Sequence, residues 1–296
     1  MSLLSIPTPK DFNFTECLRF LNRSALECLF EVVEDSVIHA LEIDNKIFVL
    51  KVYFKNQKIL IRVDHEKPNR RAANLIKAYV KDWLDIEKDL TDFYLFAKKE
   101  KLLRKPVQNA KGLRLVGIPN FTEAICWAII GQQINLTFAY TLKKRLIENF
   151  GKTFIFNEKK YFLFPKPEVL AELQVDDLRP LQFSGSKAKY LIGVAQHISE
   201  GKINKEILQH LNYENAKAKL IELKGIGPWS ADYVLMKCFR HATAFPIADI
   251  GIHHAIRNQL GWDRKPTIPE IEQLIEHWSP EWMGYATFYM WHSLLK

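Results

Sequence analysis

The chain has 296 residues, with 42 Lys and Arg against 34 Asp and Glu, a formal charge of +8. Apolar residues make up 48% of it, which excludes a disordered chain, and no run approaches the ~18 apolar residues of a membrane span. Its four cysteines, Cys17, Cys28, Cys126 and Cys238, contain no C-x-x-C pair, so neither a zinc ribbon nor a cysteine-held iron–sulfur cluster is expected.

The N-terminus lacks a basic stretch followed by a long apolar one, so a soluble, cytoplasmic monomer is expected, with no membrane partner. Residues 28–63 alternate as strands do: Cys28–Glu34, Val37–Ile43, Ile47–Phe54 and Ile59–Val63 are apolar or β-branched runs. Glu34-Asp35, Asp44-Asn45-Lys46 and Asn56-Gln57 separate them, the pattern of an antiparallel meander. From about Glu66 the period becomes helical, with Leu75, Ile76, Tyr79, Val80, Trp83 and Leu84 on one face. Residues 101–296 read as helical throughout, with almost no strand signal. Asn120-Phe-Thr-Glu123 has the form of a capping box before Ala124–Ile130. Gly131-Gln-Gln133 interrupts; Asn135 caps the next helix, and Gly151 is expected to close it. Further helices are expected near Lys187–Glu200, Glu214–Leu223, Trp229–Phe239, Ile250–Leu260, Pro269–Trp278 and Trp282–Leu294. The expected fold is mainly α: an α+β domain with an antiparallel sheet over 1–100, then an all-α domain over 101–296. The boundary falls in the basic stretch Lys98–Lys105, itself read as a solvated face.

Leu223-Lys-Gly-Ile-Gly-Pro-Trp-Ser-Ala-Asp232 is the most informative segment. A tight hairpin between two helices needs glycine where φ is positive or where backbone approaches another group. Ile226 can point inward and pin the turn. The N–H groups of Gly225, Gly227 and the following helix start then face outward as a nest for phosphate oxygen. Pro228 suits the first helical turn. Asp249 lies 22 residues past Gly227, after a helix and a return long enough to bring it back beside the hairpin. Aspartate is also a preferred N-cap for the helix starting at Ile250, and both roles are compatible. Asp232 is a competing carboxylate, more simply explained by the positive N-terminal end of its own helix. Neighbouring His253 and His254 diverge by ~100° on a helix and cannot share a metal; both read as surface residues. Lys187, Lys189 and Arg264 are candidates for phosphate contact.

Leu-x-Gly-Ile-Gly-x-Trp…Phe245-Pro246…Asp249 resembles the helix–hairpin–helix/Gly-Pro-Asp signature of base-excision DNA glycosylases, and most resembles the bacterial 3-methyladenine DNA glycosylase II branch. Ala124–Gln133 is similar to that family's helix and DNA-probing loop. Gly185–Leu191 resembles its basic helix start, Tyr285-Ala…Trp291 its C-terminal pattern, and Phe12-Asn-Phe14…Phe20-Leu21 the start of its sheet-bearing domain. The resemblance spans nearly the whole chain. It implies a glycosylase core after the α+β domain, double-stranded DNA with alkylated bases as partner, and hydrolysis of the N-glycosidic bond of a flipped purine. Asp249 would then stabilise positive charge on the sugar and handle the attacking water.

Relatives that also cleave the strand carry an amine nucleophile two residues past the second hairpin glycine. Trp229 occupies that position, and Lys224 and Lys237 do not match it, which implies a monofunctional enzyme. Trp229 and Tyr233 share one helix face, and with Trp291 and Phe20 they would form an aromatic pocket attractive to a cationic base by ~0.5–2 kcal/mol. The wedge that fills the vacated stack would be Gln133 or Ile134, where close relatives place an apolar residue; Ile250 stands where a tyrosine is familiar. No cofactor is required. The family often holds a monovalent or divalent cation on hairpin carbonyls, which leave no side-chain signature. Two rival readings follow from the same residues: a lesion-binding hairpin protein without catalysis, and a glycosylase for deaminated or oxidised purines.

Overall fold

The computed structural model describes residues 2–295. Five antiparallel strands, β1 Ser2–Pro7, β2 Phe30–Val33, β3 Ser36–Ile43, β4 Lys46–Lys55 and β5 Lys58–Asp64, lie in the order β1-β5-β4-β3-β2. The expected meander supplies four of them. The three polar breaks form tight hairpins: Asp44 and Asn45, like Asn56 and Gln57, have both central residues at positive φ, and Glu34 does at the third. Such turns match the strand twist. The fifth strand comes from the N-terminus, where Ser2–Pro7 pairs with Lys58–Val63. Helix α1, Phe14–Leu21, sits in the crossover from β1 to β2, and α2, Arg70–Trp83, packs on β1 and β3.

Helices α3 Thr91–Lys99, α4 Arg104–Asn109, α5 Phe121–Ile130 and α6 Leu136–Phe150 follow. The chain then departs from the all-helical expectation. Lys152–Phe156 (β6) and Lys159–Leu163 (β7) form a second antiparallel hairpin around Asn157 and Glu158, both at positive φ. Gly151 therefore does not close α6 in the left-handed region: its φ of −75° and ψ of 155° lead straight into β6. A Cβ there would stand 2.5 Å from the Ile147 carbonyl and 2.6 Å from that of Leu163, so close approach, not φ, requires glycine.

The remaining helices are α7 Pro167–Ala171, α8 Val175–Leu178, α9 Gly185–Ser199, α10 Lys205–Gln209, α11 Tyr213–Ile221, α12 Pro228–Phe239, α13 Ile250–Leu260, α14 Ile268–Ile275 and α15 Met283–His292. Helix α5 is buried almost all round and packs on α6, α9 and α12; α13 packs on α15. The Asn120 side chain accepts from Glu123 N–H, but the Glu123 carboxylate turns to Lys143 instead of closing a capping box. Lys143 Nζ stands 2.8 Å from both Glu27 and Glu123, and all three side chains are nearly buried. This triad ties the segment between α1 and β2 to α5 and α6. No described helix is long and apolar enough to cross a membrane. All four cysteines are free, three of them buried, and Lys98, Lys99, Lys101, Arg104 and Lys105 are exposed as expected.

Candidate active site

The turn between α11 and α12 has the geometry its glycines suggest. Gly225 has φ +94°, and a Cβ there would meet the Tyr190 ring at 2.2 Å. Ile226 is buried, and its N–H donates to Leu223 O at 3.0 Å. Gly227 is extended, with nothing within 4 Å of a would-be Cβ, so its open face is available to an approaching group. Pro228 opens α12. Leu223 O and Gly225 O each accept one hydrogen bond, from Ile226 N and Gln132 Nε2, and each keeps a second lone pair. These carbonyls suit a hard cation. No cluster of three or more His, Cys, Asp or Glu side chains stands ready for a metal among the described residues.

Asp249 caps α13. Its Oδ1 accepts from Gly251 N at 2.8 Å, from Ile252 N at 3.2 Å and from Trp291 Nε1 at 2.8 Å. Its Oδ2 accepts from Trp229 Nε1 at 3.0 Å. Four donors hold one carboxylate, three of them on one oxygen, so Oδ2 keeps an open lone pair. Trp229 and Trp291 are half-buried and Tyr233 is buried between them, with ring centroids 5.7 and 5.8 Å away. Ile250 is 55% exposed.

Two residues that sequence reasoning missed shape this arrangement. A Cβ on Gly251 would stand 2.8 Å from Asp249 Oδ1 and 3.0 Å from Trp291 Cδ1, so glycine there admits the Trp291 contact. His253, far from being a free surface group, is half-buried; its ring nitrogens lie 2.9 Å from Ile247 O and 3.0 Å from Pro266 O. It braces the turn that delivers Asp249.

The loop after α5 closes the other side. Gly131 lies 3.8 Å, measured from a would-be Cβ, from the Trp229 ring. Gln132, also missed, donates from Nε2 to Gly225 O at 2.8 Å and to Ser230 Oγ at 2.9 Å, bolting loop to hairpin. Gln133 is exposed with φ +54° at the tip, whereas Ile134 is half-buried against the core. Of the two wedge candidates, only Gln133 projects.

Other expectations need correction. Phe20 is not brought to the Asp249 tryptophans. It lies in a narrow crevice with Arg23, Trp127, Tyr140 and Lys237, its ring 4.4 Å from that of Phe288. Asp232 does not serve the N-terminus of α12: buried, it accepts from Tyr213 Oη at 2.5 Å and Lys217 Nζ at 3.0 Å, pinning α11 to α12. Burial raises its carboxyl above the usual value despite these bonds. Lys187 is not free for phosphate, since Nζ donates to Ile130 O at 2.6 Å. Arg264 is engaged by Glu270, and Lys189 is exposed.

Residues 126–281 match the family model of the HhH-GPD superfamily base excision DNA repair protein, and residues 7–125 that of the 8-oxoguanine DNA glycosylase N-terminal domain. A DNA-3-methyladenine glycosylase of Bacillus subtilis is 39% identical over 99% of this chain and 97% of its own. DNA-3-methyladenine glycosylase 2 of Escherichia coli is 28% identical over 62% of this chain and 61% of its own. Among solved structures, a 3-methyladenine DNA-glycosylase from Archaeoglobus fulgidus superposes with TM-score 0.84 at 22% identity, covering 97% of both chains.

Proposed function

Because this chain belongs to the HhH-GPD superfamily of base excision DNA repair proteins, we propose that it is a monofunctional DNA glycosylase of alkylated purines such as 3-methyladenine. The observation that carries this reading is the Asp249 carboxylate, held by two indole N–H groups and the first turn of α13 beside the hairpin. Backbone N–H groups at the hairpin bind phosphate of double-stranded DNA, and Gln133 enters the stack as the base swings out. The purine is received against Trp229, Tyr233 and Trp291. An alkylated ring is cationic, so the aromatic faces attract it.

As the N-glycosidic bond breaks, its electron pair leaves with the base and positive charge grows on the sugar. Asp249 lies against that charge. The open lone pair of Oδ2 takes a hydrogen bond from water, orients it toward the anomeric carbon and accepts its proton as the new C–O bond forms. The product is an abasic site. No amine stands where strand-cleaving relatives place one: Trp229 fills that position.

Release of free base from methylated duplex DNA tests the reading. Asp249→Asn is expected to reduce the rate by about 10²–10⁴-fold while binding of undamaged duplex persists. Absence of release by the wild type, or an undiminished rate in the variant, refutes it and leaves the non-catalytic lesion-binding alternative. Strand nicking without added base or lyase refutes the monofunctional part.

A further inference from the structure

Extrusion of a base uncovers the ring faces of the two flanking pairs, and proteins that open a duplex insert apolar side chains between such steps. Gln133, at the tip of the loop after α5, ends in an amide that gives up its water partners when laid on an apolar face. The residues that follow it differ in what they can offer. Ile134 is half-buried against the core. Asn135 is spent as the cap of α6, its Oδ1 accepting from Phe138 N–H at 2.8 Å. Leu136, the first residue of α6, is 52% exposed.

Three features set Leu136 apart from apolar side chains scattered singly over a surface. Ala139 and Tyr140, three and four residues on, are buried, so Leu136 lies on the core-facing stripe of α6 and extends it past the edge of the protein. Side chains on a helix lean toward its N-terminus, which aims Leu136 back along the loop toward Gln133; three residues of chain keep the two Cα atoms within ~11 Å. The loop itself is fixed to its surroundings. Gln132 Nε2 donates to Gly225 O and Ser230 Oγ, Lys187 Nζ donates to Ile130 O at 2.6 Å, and Gly131 lies beside the Trp229 ring. Leu136 therefore keeps a set position relative to the hairpin and to the indoles that hold Asp249.

We propose that Leu136 is the apolar half of the wedge: as the damaged base swings out, the leucine enters the duplex beside Gln133 and covers the ring face of a flanking base pair. This rests on the reading of the chain as a glycosylase that extrudes its substrate. An intact duplex has no uncovered face to offer, so the contact is made only in the opened state. Leu136 thereby favours opening over mere binding, as a positioning residue through which no bond is made or broken. Every base presents a ring face, so the contact does not depend on the sequence beside the lesion.

Fluorescence anisotropy of wild type, Leu136→Ser and Leu136→Met tests this with two duplexes of one sequence, one intact and one carrying a tetrahydrofuran abasic-site analogue. The readout is the ratio of the two dissociation constants within each preparation, so partial loss of folded protein cancels. Leu136→Ser is expected to lower the preference for the abasic duplex about five- to tenfold, the worth of burying the exposed half of a leucine side chain. Leu136→Met, similar in volume and apolar, is expected to hold the preference within about twofold. An unchanged ratio in Leu136→Ser, the same loss in Leu136→Met, or a wild type without preference overturns the proposal. Release of 7-methylguanine from duplex DNA by the same wild-type preparation separates the two readings. Its absence overturns the proposed function; its presence with an unchanged ratio overturns the role of Leu136 alone.

Discussion

Replacing Lys143 with methionine removes the ammonium shared by Glu27 and Glu123 and leaves two carboxyl groups enclosed by protein. Breaking a buried pair from one side costs about 3–5 kcal/mol. In the intact triad burial pushes Glu27 up, but the charge and hydrogen bond of Lys143 outweigh it and hold the group below its usual value. Glu123 is raised, because burial outweighs the same lysine there. The depressed Glu27 contributes stability above its unfolded value of ~4.5 that is lost as pH falls through its folded value. The raised Glu123 acts oppositely: its contribution is present below the unfolded value and lost as pH rises through the folded one. Without Lys143 both carboxyls are raised, so both act in the second sense. Each proton held by the folded but not the unfolded chain lowers stability by about 1.4 kcal/mol per pH unit. One such proton makes the variant lose ~3 kcal/mol relative to wild type between pH 5.5 and 7.5. Urea unfolding followed by circular dichroism at the two pH values measures this. A cost under about 1 kcal/mol at pH 7.5, or a larger cost at pH 5.5, refutes the reasoning. Adding Glu27→Gln and Glu123→Gln is expected to recover much of the loss, since hydrogen-bonding neutral groups replace the stranded charges.

Gly251→Ala separates stability from activity: alanine favours a helix by ~0.5–1 kcal/mol over glycine, yet its Cβ pushes Trp291 from Asp249. Melting is expected to change little, the helix gain being offset by strain on the Asp249 cap, while single-turnover base release falls about tenfold, the value of one hydrogen bond to a charged group; full activity contradicts the assigned contact. Gly225→Ala meets both a positive φ and the Tyr190 ring, so affinity for undamaged duplex is expected to weaken at least about tenfold, two strained terms of ~1 kcal/mol or more each, measured by fluorescence anisotropy. Gln132→Leu removes both bonds from loop to hairpin and is expected to slow base extrusion, reported by 2-aminopurine fluorescence beside the lesion. An unchanged amplitude and rate would show that the loop needs no such anchor.

The parts of the fold legible in the sequence share one property: their determinants lie within a few residues of one another. The α13 limits follow from Asp249 before it and the left-handed Gly261 after it, and the meander turns from pairs of polar residues that accept positive φ. Strand β1 was illegible because Ser2–Pro7 acquires its pattern only opposite β5, more than 50 residues away. Strands β6 and β7 were hidden by Gly151, whose meaning as a helix stop is local and whose actual constraint, the Leu163 carbonyl, is not. Asp249 is proposed from its spacing to the hairpin, whereas Gly251 two residues later gives no such signal, since part of its reason to be glycine is the distant Trp291.

The buried lysines carry the same logic furthest. Composition counts Lys143 and Lys237 among the charges that keep a surface wet, and no local pattern distinguishes them from exposed ones. Their environments come from three and more separate elements: Glu27 and Glu123 for one, Val116, Phe20 and Phe288 for the other. One environment supplies countercharge and the other supplies ring faces and a carbonyl. The first therefore keeps its lysine charged and structural, while the second lowers the proton affinity of its amine. Two residues of one type thus acquire opposite shifts through neighbours that become adjacent only on folding.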